Sequence, residues 1–147
     1  MLIIYLDTSA LLKQYIGEQG ADEVEQLLGK ADSAGTAMLT QTEIASAMSR
    51  AVRAGLVSAD EGQAAWEEFL KDWSLITHLR ISSQVTQRAA SLAWQHCLRG
   101  YDALHLASAL LWQEALGMSV TLATFDRDLW LACRKAGMNA WPEGLVS

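Results

Sequence analysis

The chain has 147 residues, 51% of them hydrophobic and 19% charged, with 11 Lys or Arg against 17 Asp or Glu and a formal net charge of −6. This length and apolar content exclude global disorder and suit one domain over residues 1–147, large enough to bury roughly 68–70% of its unfolded surface. The acidic balance excludes a protein that holds nucleic acid by bulk positive charge. The charge is uneven, however: residues 1–73 carry 12 acids and 5 bases, residues 74–147 only 5 acids and 6 bases. The second half is therefore the expected landing surface for any polyanion.

In chain order, Leu2-Ile3-Ile4-Tyr5-Leu6 reads as a short strand buried on both faces, followed by Asp7-Thr8-Ser9 as helix-capping material. A short helix is expected over 10–16, broken by Gly17 and Gly20, and a second over 21–31 with Val24, Leu27 and Leu28 at helical spacing. A strand at 36–39 precedes a helix over 41–54, where Ile44, Ala47, Met48, Ala51 and Val52 repeat at helical intervals. Gly55 ends it, and Ser58 caps a helix over 59–73. Then come a strand within 75–81, a helix over 83–98, an almost uniformly apolar helix over 102–116 and a strand at 119–123. A helix over 127–136 is closed by Gly137 at C′, and a last short strand covers 138–141.

Alternating strands and helices predict an α/β fold, a three-layer α/β/α sandwich around a mostly parallel sheet. No internal repeat, low-complexity tract or linker interrupts it. Cys97 and Cys133 have no C-x-x-C spacing and read as two buried, reduced thiols. No window reaches the ~18 apolar residues of a membrane span. Asp7 interrupts the first apolar run and no basic segment precedes it, so a signal peptide is not expected. The expected location is cytoplasmic.

Four acids stand out by position. Asp7 follows the first strand, Glu43 lies in the first turn of the 41–54 helix, Asp102 opens the 102–116 helix, and Asp126 follows the 119–123 strand. In open α/β sheets ligands bind beyond the carboxyl ends of the strands, where Asp7 and Asp126 fall if their strands are parallel neighbours. Each acid also has a purely structural reading. Thr40-Gln41-Thr42-Glu43 matches a capping box, Asp102 and Asp126 serve as N-caps, and Asp7 begins a turn. That reading leaves unexplained why a carboxylate should open the most apolar helix of the chain, where it is costly unless paired or metal-bound.

Clustered carboxylates repel, so one takes a proton unless a cation intervenes. A hard divalent ion such as Mg²⁺ or Mn²⁺ suits oxygen ligands, activates water and stabilises a phosphorane-like transition state. The chemistry this predicts is phosphodiester hydrolysis.

Tyr5-Leu6-Asp7-Thr8-Ser9-Ala10-Leu11-Leu12, Thr42-Glu43-Ile44, Tyr101-Asp102-Ala103-Leu104-His105-Leu106-Ala107 and Ala123-Thr124-Phe125-Asp126 together resemble the PIN-domain nucleases, in particular the VapC-type ribonuclease toxins of type II toxin–antitoxin pairs. The resemblance runs from residue 5 to residue 126. It implies a Mg²⁺- or Mn²⁺-dependent endoribonuclease on an α/β/α sandwich, inhibited by a cognate antitoxin, and favours a homodimer. Carried over, Asp7, Glu43, Asp102 and Asp126 are the catalytic, metal-binding acids. Thr8 and Ser9 are polar supports of the first motif, and Thr124 is the support of the last. Asp128 is a second candidate beside Asp126.

His105, one turn after Asp102, is either a general base or a hydrogen-bonded packing residue. His78 and His96 carry no motif. The six tryptophans read chiefly as core and interface packing, with Trp66 and Trp73 sharing a helix face that a partner or a second copy of the chain would cover. Arg50 shares the helical face of Glu43. Arg80, Arg88, Arg99, Arg127, Arg134 and Lys135 mark the candidate RNA path. Three other readings stay open: an RNA-maturation nuclease of the same type, a catalytically inactive RNA-binding or protein-interaction module, and a phosphatase using Asp7 as nucleophile. Ser9 two positions after Asp7, where an acid is wanted, weakens the last.

Overall fold

The computed structural model describes residues 1–17 and 19–146. β1 (Ile3–Leu6) leads into α1 (Thr8–Leu12) and α2 (Ala21–Lys30), then β2 (Ser33–Ala37), α3 (Thr40–Arg53), α4 (Ala59–Trp73) and β3 (Thr77–Leu79). α5 (Ser83–His96) and α6 (Gly100–Leu116) precede β4 (Val120–Ala123), α7 (Arg127–Lys135) and β5 (Asn139–Trp141). The five strands form one parallel sheet in the order β3-β2-β1-β4-β5.

Alternation along β1 builds the layers. Ile3 and Tyr5 face a core closed by α5, α6 and α7 through residues such as Val85, Leu106 and Leu129. Ile4 and Leu6 face a second core, closed by α1 to α4 through Leu11, Val24, Ile44 and Phe69. All four β1 residues are buried, as expected for a central strand with helices on both sides. This is the expected α/β/α sandwich. The chain goes outward from β1 to β2 and β3, then returns to β4 on β1's other side. The strand order therefore reverses between β1 and β4, the position at which such sheets open a crevice at their carboxyl edge.

Boundaries differ where local chemistry overrides periodicity. α1 occupies 8–12 rather than 10–16, because Asp7 caps it early. Beyond Leu12 the N–H groups of Lys13, Gln14 and Tyr15 reach back three residues in successive tight turns. β2 begins at Ser33 although Ser-Ala-Gly-Thr-Ala has no large β-former. A Cβ on Gly35 would lie 2.9 Å from the Trp112 ring, so packing of α6 on the sheet selects the small residue. β3 shrinks to three residues. Gly137, at φ 85°, does sit at C′ of α7, in a Schellman closure where Met138 N–H bonds Cys133 C=O at 3.1 Å.

The two thiols divide. Cys133 is buried, and burial pushes its thiol up to about 12. Cys97 is exposed, against expectation. It ends α5 in the left-handed conformation at φ 55°, which turns its side chain out of the helix face that packs on α6. Trp66 stacks on Phe69 at 5.3 Å, Trp73 tilts onto Phe69 at 5.4 Å and stacks on His78 at 4.0 Å, so that tryptophan face has partners within the chain. Trp94, 90% exposed, is the tryptophan that faces solvent most openly. No helix of the described residues is long and apolar enough to cross a membrane.

Candidate active site

β1 and β4 run side by side with Leu6 opposite Ala123, so the residues that follow them emerge together at the carboxyl edge. Asp7 N–H bonds Ala123 C=O at 3.1 Å and locks that exit. The Asp7 carboxylate, 3% exposed, caps α1. Its Oδ1 accepts from Ala10 N–H at 2.9 Å and from Ser9 Oγ at 2.7 Å, and its Oδ2 accepts from Thr124 Oγ1 at 2.6 Å. Both supports are themselves fixed: Phe125 N–H donates to Ser9 Oγ at 2.9 Å, and Asp126 N–H donates to Thr124 Oγ1 at 3.0 Å. The expected roles of Ser9 and Thr124 are thus visible as bonds to Asp7. Even so, burial outweighs them and raises the Asp7 carboxyl above its ordinary value.

Glu43 departs from the capping-box reading. Leu39, not Thr40, is the N-cap of α3, and it makes no side-chain cap bond. The Thr36 hydroxyl donates to Leu6 C=O at 2.7 Å, so the Thr40 hydroxyl, 2.7 Å away, is the donor to Thr36. Glu43 is thereby free to turn inward, where Oε1 accepts from Thr8 Oγ1 at 2.5 Å and from His105 Nε2 at 2.8 Å. Thr8 therefore supports Glu43 rather than Asp7. Partial burial pushes the Glu43 carboxyl up, but the hydrogen bonds from His105 and Thr8 outweigh it, and the net direction is down.

His105 is 2% exposed and packs edge-on against Tyr5. The Tyr5 phenol is held protonated, its pKa driven well above the ordinary value by burial and then by Asp7. It donates to His105 Nδ1 at 2.7 Å, which leaves the proton on Nε2 to be donated to Glu43. This is the hydrogen-bonded reading of His105, with both ring nitrogens engaged.

Asp102 and Asp126 are joined by a residue that sequence reasoning placed only on the RNA path. Asp102 lies within the first turn of α6 but is not its N-cap, a position taken by Arg99. Arg99 Nε donates to Asp102 Oδ2 at 3.1 Å and Nη2 donates to Asp126 Oδ2 at 2.8 Å. Asp126 does cap its helix, Oδ1 accepting from Leu129 N–H at 2.9 Å. The Asp102 carboxyl is raised by burial, then by the charges of Asp126 and Asp7, which Arg99 only partly offsets. Asp7 and Asp126 thus both act on Asp102, whereas Glu43 is bonded to Thr8 and His105 and to none of these three acids.

Among the described residues, no three Asp, Glu, His or Cys side chains converge in an arrangement ready to hold an ion. Arg99 lies between two of the acids, and Glu43 is turned to His105. The donor chemistry nonetheless fits a hard divalent cation: oxygen donors, mutual repulsion and little water to disperse it. Asp128 is exposed on α7 and lines a separate groove with His96, Cys97 and Lys135.

The PIN domain family pattern matches residues 4–135 of this 147-residue chain. The chain belongs to the PIN domain family. Ribonuclease VapC45 of Mycobacterium tuberculosis (strain CDC 1551 / Oshkosh) is similar to this PIN domain, 32% identical with 99% of each chain covered. In fold it is similar to PAE2754 from Pyrobaculum aerophilum, at TM-score 0.66 and 22% identity over 95% of this chain and 83% of that one. It is also similar to a chain of a toxin–antitoxin complex from Klebsiella pneumoniae, at TM-score 0.63 and 20% identity over 85% and 88%.

In this PIN domain a groove of about 350 Å³ leads away from Glu43, lined by Thr8, Ser46, Arg50 and Tyr101 among others. Arg50 thus opens on the same channel as Glu43, two turns along α3, with Nη1 donating to Ser46 Oγ at 3.2 Å. The Tyr101 ring is 65% exposed beside Asp102.

Proposed function

We propose that this chain is a single PIN-like unit acting as a Mg²⁺- or Mn²⁺-dependent endoribonuclease, the toxin of a toxin–antitoxin pair, working in the cytoplasm. The observation that carries this reading is geometric: Asp7 and Asp126 follow neighbouring parallel strands at one carboxyl edge, and Asp102 meets Asp126 there across a single guanidinium. Carboxylates gathered in a partly buried crevice are costly without a cation. The likeness to Ribonuclease VapC45 over nearly the whole chain supports RNA as the substrate. The fold shared with chains of toxin–antitoxin complexes is in keeping with an antitoxin partner.

In this reading Asp7, Asp102 and Asp126 hold the ion, with Glu43 completing the oxygen set. The ion supplies positive charge at the scissile phosphate and activates water for in-line attack. The chain's own groups do the positioning. Ser9, Ala10 N–H and Thr124 fix the Asp7 carboxylate, leaving an unused lone pair on Oδ2. Thr8 and His105 hold Glu43 ionised. Arg50 and Tyr101 line the groove through which a single strand would pass, by phosphate contact and base stacking.

The test is cleavage of defined RNAs by the full chain with Mg²⁺, Mn²⁺ or EDTA, beside Asp7→Asn checked for folding by circular dichroism. Cleavage with either metal, none in EDTA, and a loss of about a hundredfold or more in a folded Asp7→Asn variant are expected. Full activity in EDTA or in that variant overturns the reading. Light scattering settles whether the chain is the expected homodimer.

A further inference from the structure

Arg99 is an odd residue to find where it is. Its side chain is 77% exposed, yet it donates through two different nitrogens to two different carboxylates of the proposed centre, at 3.1 and 2.8 Å. Those carboxylates are only 16% and 24% exposed and come from separate helices, α6 and α7. Local pairing within one helix is common and weak. A fork that joins the first turns of two helices needs the planar, multi-donor guanidinium; an ammonium on the same stem has one centre to offer.

The arrangement has a further consequence. Arg99 is the positive group that reaches both carboxylates, at 3.1 Å to Asp102 and 2.8 Å to Asp126. Each acid therefore gives the guanidinium an oxygen that an ion would want. Asp126 Oδ1 accepts from Leu129 N–H and Oδ2 from Arg99, so both oxygens are engaged and Oδ2 is the one whose partner is a mobile side chain.

We propose that Arg99 is the resident counter-cation of the acidic centre: it occupies Asp102 and Asp126 when no metal is bound, and a divalent ion must displace it to enter. This rests on the metal-site reading above and adds to it a residue that sets the metal concentration at which the centre fills. The exchange raises the positive charge at the acids by one, a guanidinium of charge +1 swinging away as an ion of charge +2 arrives. It is confined to a side chain with solvent on most of its surface, so no rearrangement of the sheet or helices is required. Lysine in this place would keep the charge but lose the fork.

The test is Mn²⁺ titration of the full chain by calorimetry, for wild type, Arg99→Gln, Arg99→Lys and Arg127→Gln, the last removing an exposed charge that makes no bond to these acids. Arg99→Gln is expected to bind Mn²⁺ at least about threefold tighter, since two exposed pairs are no longer in competition. Arg99→Lys is expected to move most of the way to Arg99→Gln, and Arg127→Gln much less. The second readout is melting in EDTA and in saturating Mn²⁺. Arg99→Gln loses melting temperature in EDTA, where nothing neutralises the acids, and gains more than wild type from Mn²⁺. Equal or weaker Mn²⁺ binding by Arg99→Gln overturns the proposal, as does an Arg127→Gln effect of the same size or an Arg99→Lys that matches wild type. No Mn²⁺ binding by wild type overturns instead the metal-site reading on which it rests.

Discussion

Thr124→Val isolates the hydrogen-bonded frame of the site with almost no change of shape. Thr124 is fully buried, and its hydroxyl has two opposed duties. It donates to Asp7 Oδ2 at 2.6 Å and accepts from Asp126 N–H at 3.0 Å, so one atom sets the spacing of two proposed ligands. Valine deletes both bonds. A hydrogen bond to an ionised group contributes about 1.5–3 kcal/mol and one between neutral groups about 1 kcal/mol. The added methyl returns about 0.8 kcal/mol. The expected loss is thus about 2–3 kcal/mol, or roughly 5–10 °C of melting temperature for a domain of this size. Thr124→Ser keeps the hydroxyl and is expected to lose only about 1 kcal/mol, from the missing methyl. The loss in Thr124→Val should also grow with pH, because the ionised Asp7 carboxylate needs the donor more than the neutral acid does. Urea unfolding at pH 7 and near pH 4, with RNA cleavage measured alongside, checks each step. A Thr124→Val variant as stable as Thr124→Ser, or one whose deficit is the same at both pH values, refutes the reasoning.

Three other outcomes are expected. Asp7 has a folded pKa above its ordinary 3.8, with burial as the main cause, so its contribution to stability is fully present below the unfolded value and is lost as pH rises through the folded one. In EDTA, the melting temperature of Asp7→Asn relative to wild type should therefore climb between about pH 4 and neutrality; a flat or falling difference contradicts the sign of the shift. Cys97 is exposed in a left-handed helix cap, whereas Cys133 is buried with its thiol held at about 12. A thiol reagent should label one cysteine in the folded protein and two in denaturant, and Cys97→Gly should gain about 0.5–1 kcal/mol by relieving the backbone; two rapid labels, or a destabilised glycine variant, would count against this account.

The layers were legible because period carries them. Ile-Ile-Tyr-Leu has no polar interruption and is buried on both faces, and the 41–54 and 59–73 repeats appear as α3 and α4 within a residue or so. β2 was displaced because its residues are chosen by what lies against them, Trp112 over Gly35, rather than by propensity. At the site, Asp7 and Asp126 were placed by the strands they follow. The Thr40–Glu43 pattern misled, since a capping box and an inward-facing glutamate look alike in sequence; the Thr36 hydroxyl, which accepts the Thr40 hydrogen bond, separates them. Arg99 was classed with the other basic residues because nothing along the chain shows that its two partners stand 3 and 27 residues away. The spacing to Asp102 was an available signal, since a base three residues before an acid at a helix start can fold back on it.

The opening argument from charge can now be put on firmer ground. A net charge of −6 does rule out a surface that attracts RNA everywhere. Yet the cost of that acidity is concentrated at Asp102, which sits one residue before the run of seven buried residues, Ala103 and then His105 to Leu110, that makes α6 the spine of the domain. A carboxylate fixed to such a rigid, apolar support cannot retreat to water when its neighbours ionise, and its pKa rises accordingly. A proton or a cation relieves it. Arg99 supplies one from the solvent side with a single positive charge for two acids, while Asp7 beneath them has hydrogen bonds but no cation of its own. The repulsion left over after Arg99 has paired is what a doubly charged ion would relieve. The apolar support that α6 gives Asp102, rather than the number of acids, is what concentrates the cost of acidity at this edge of the sheet.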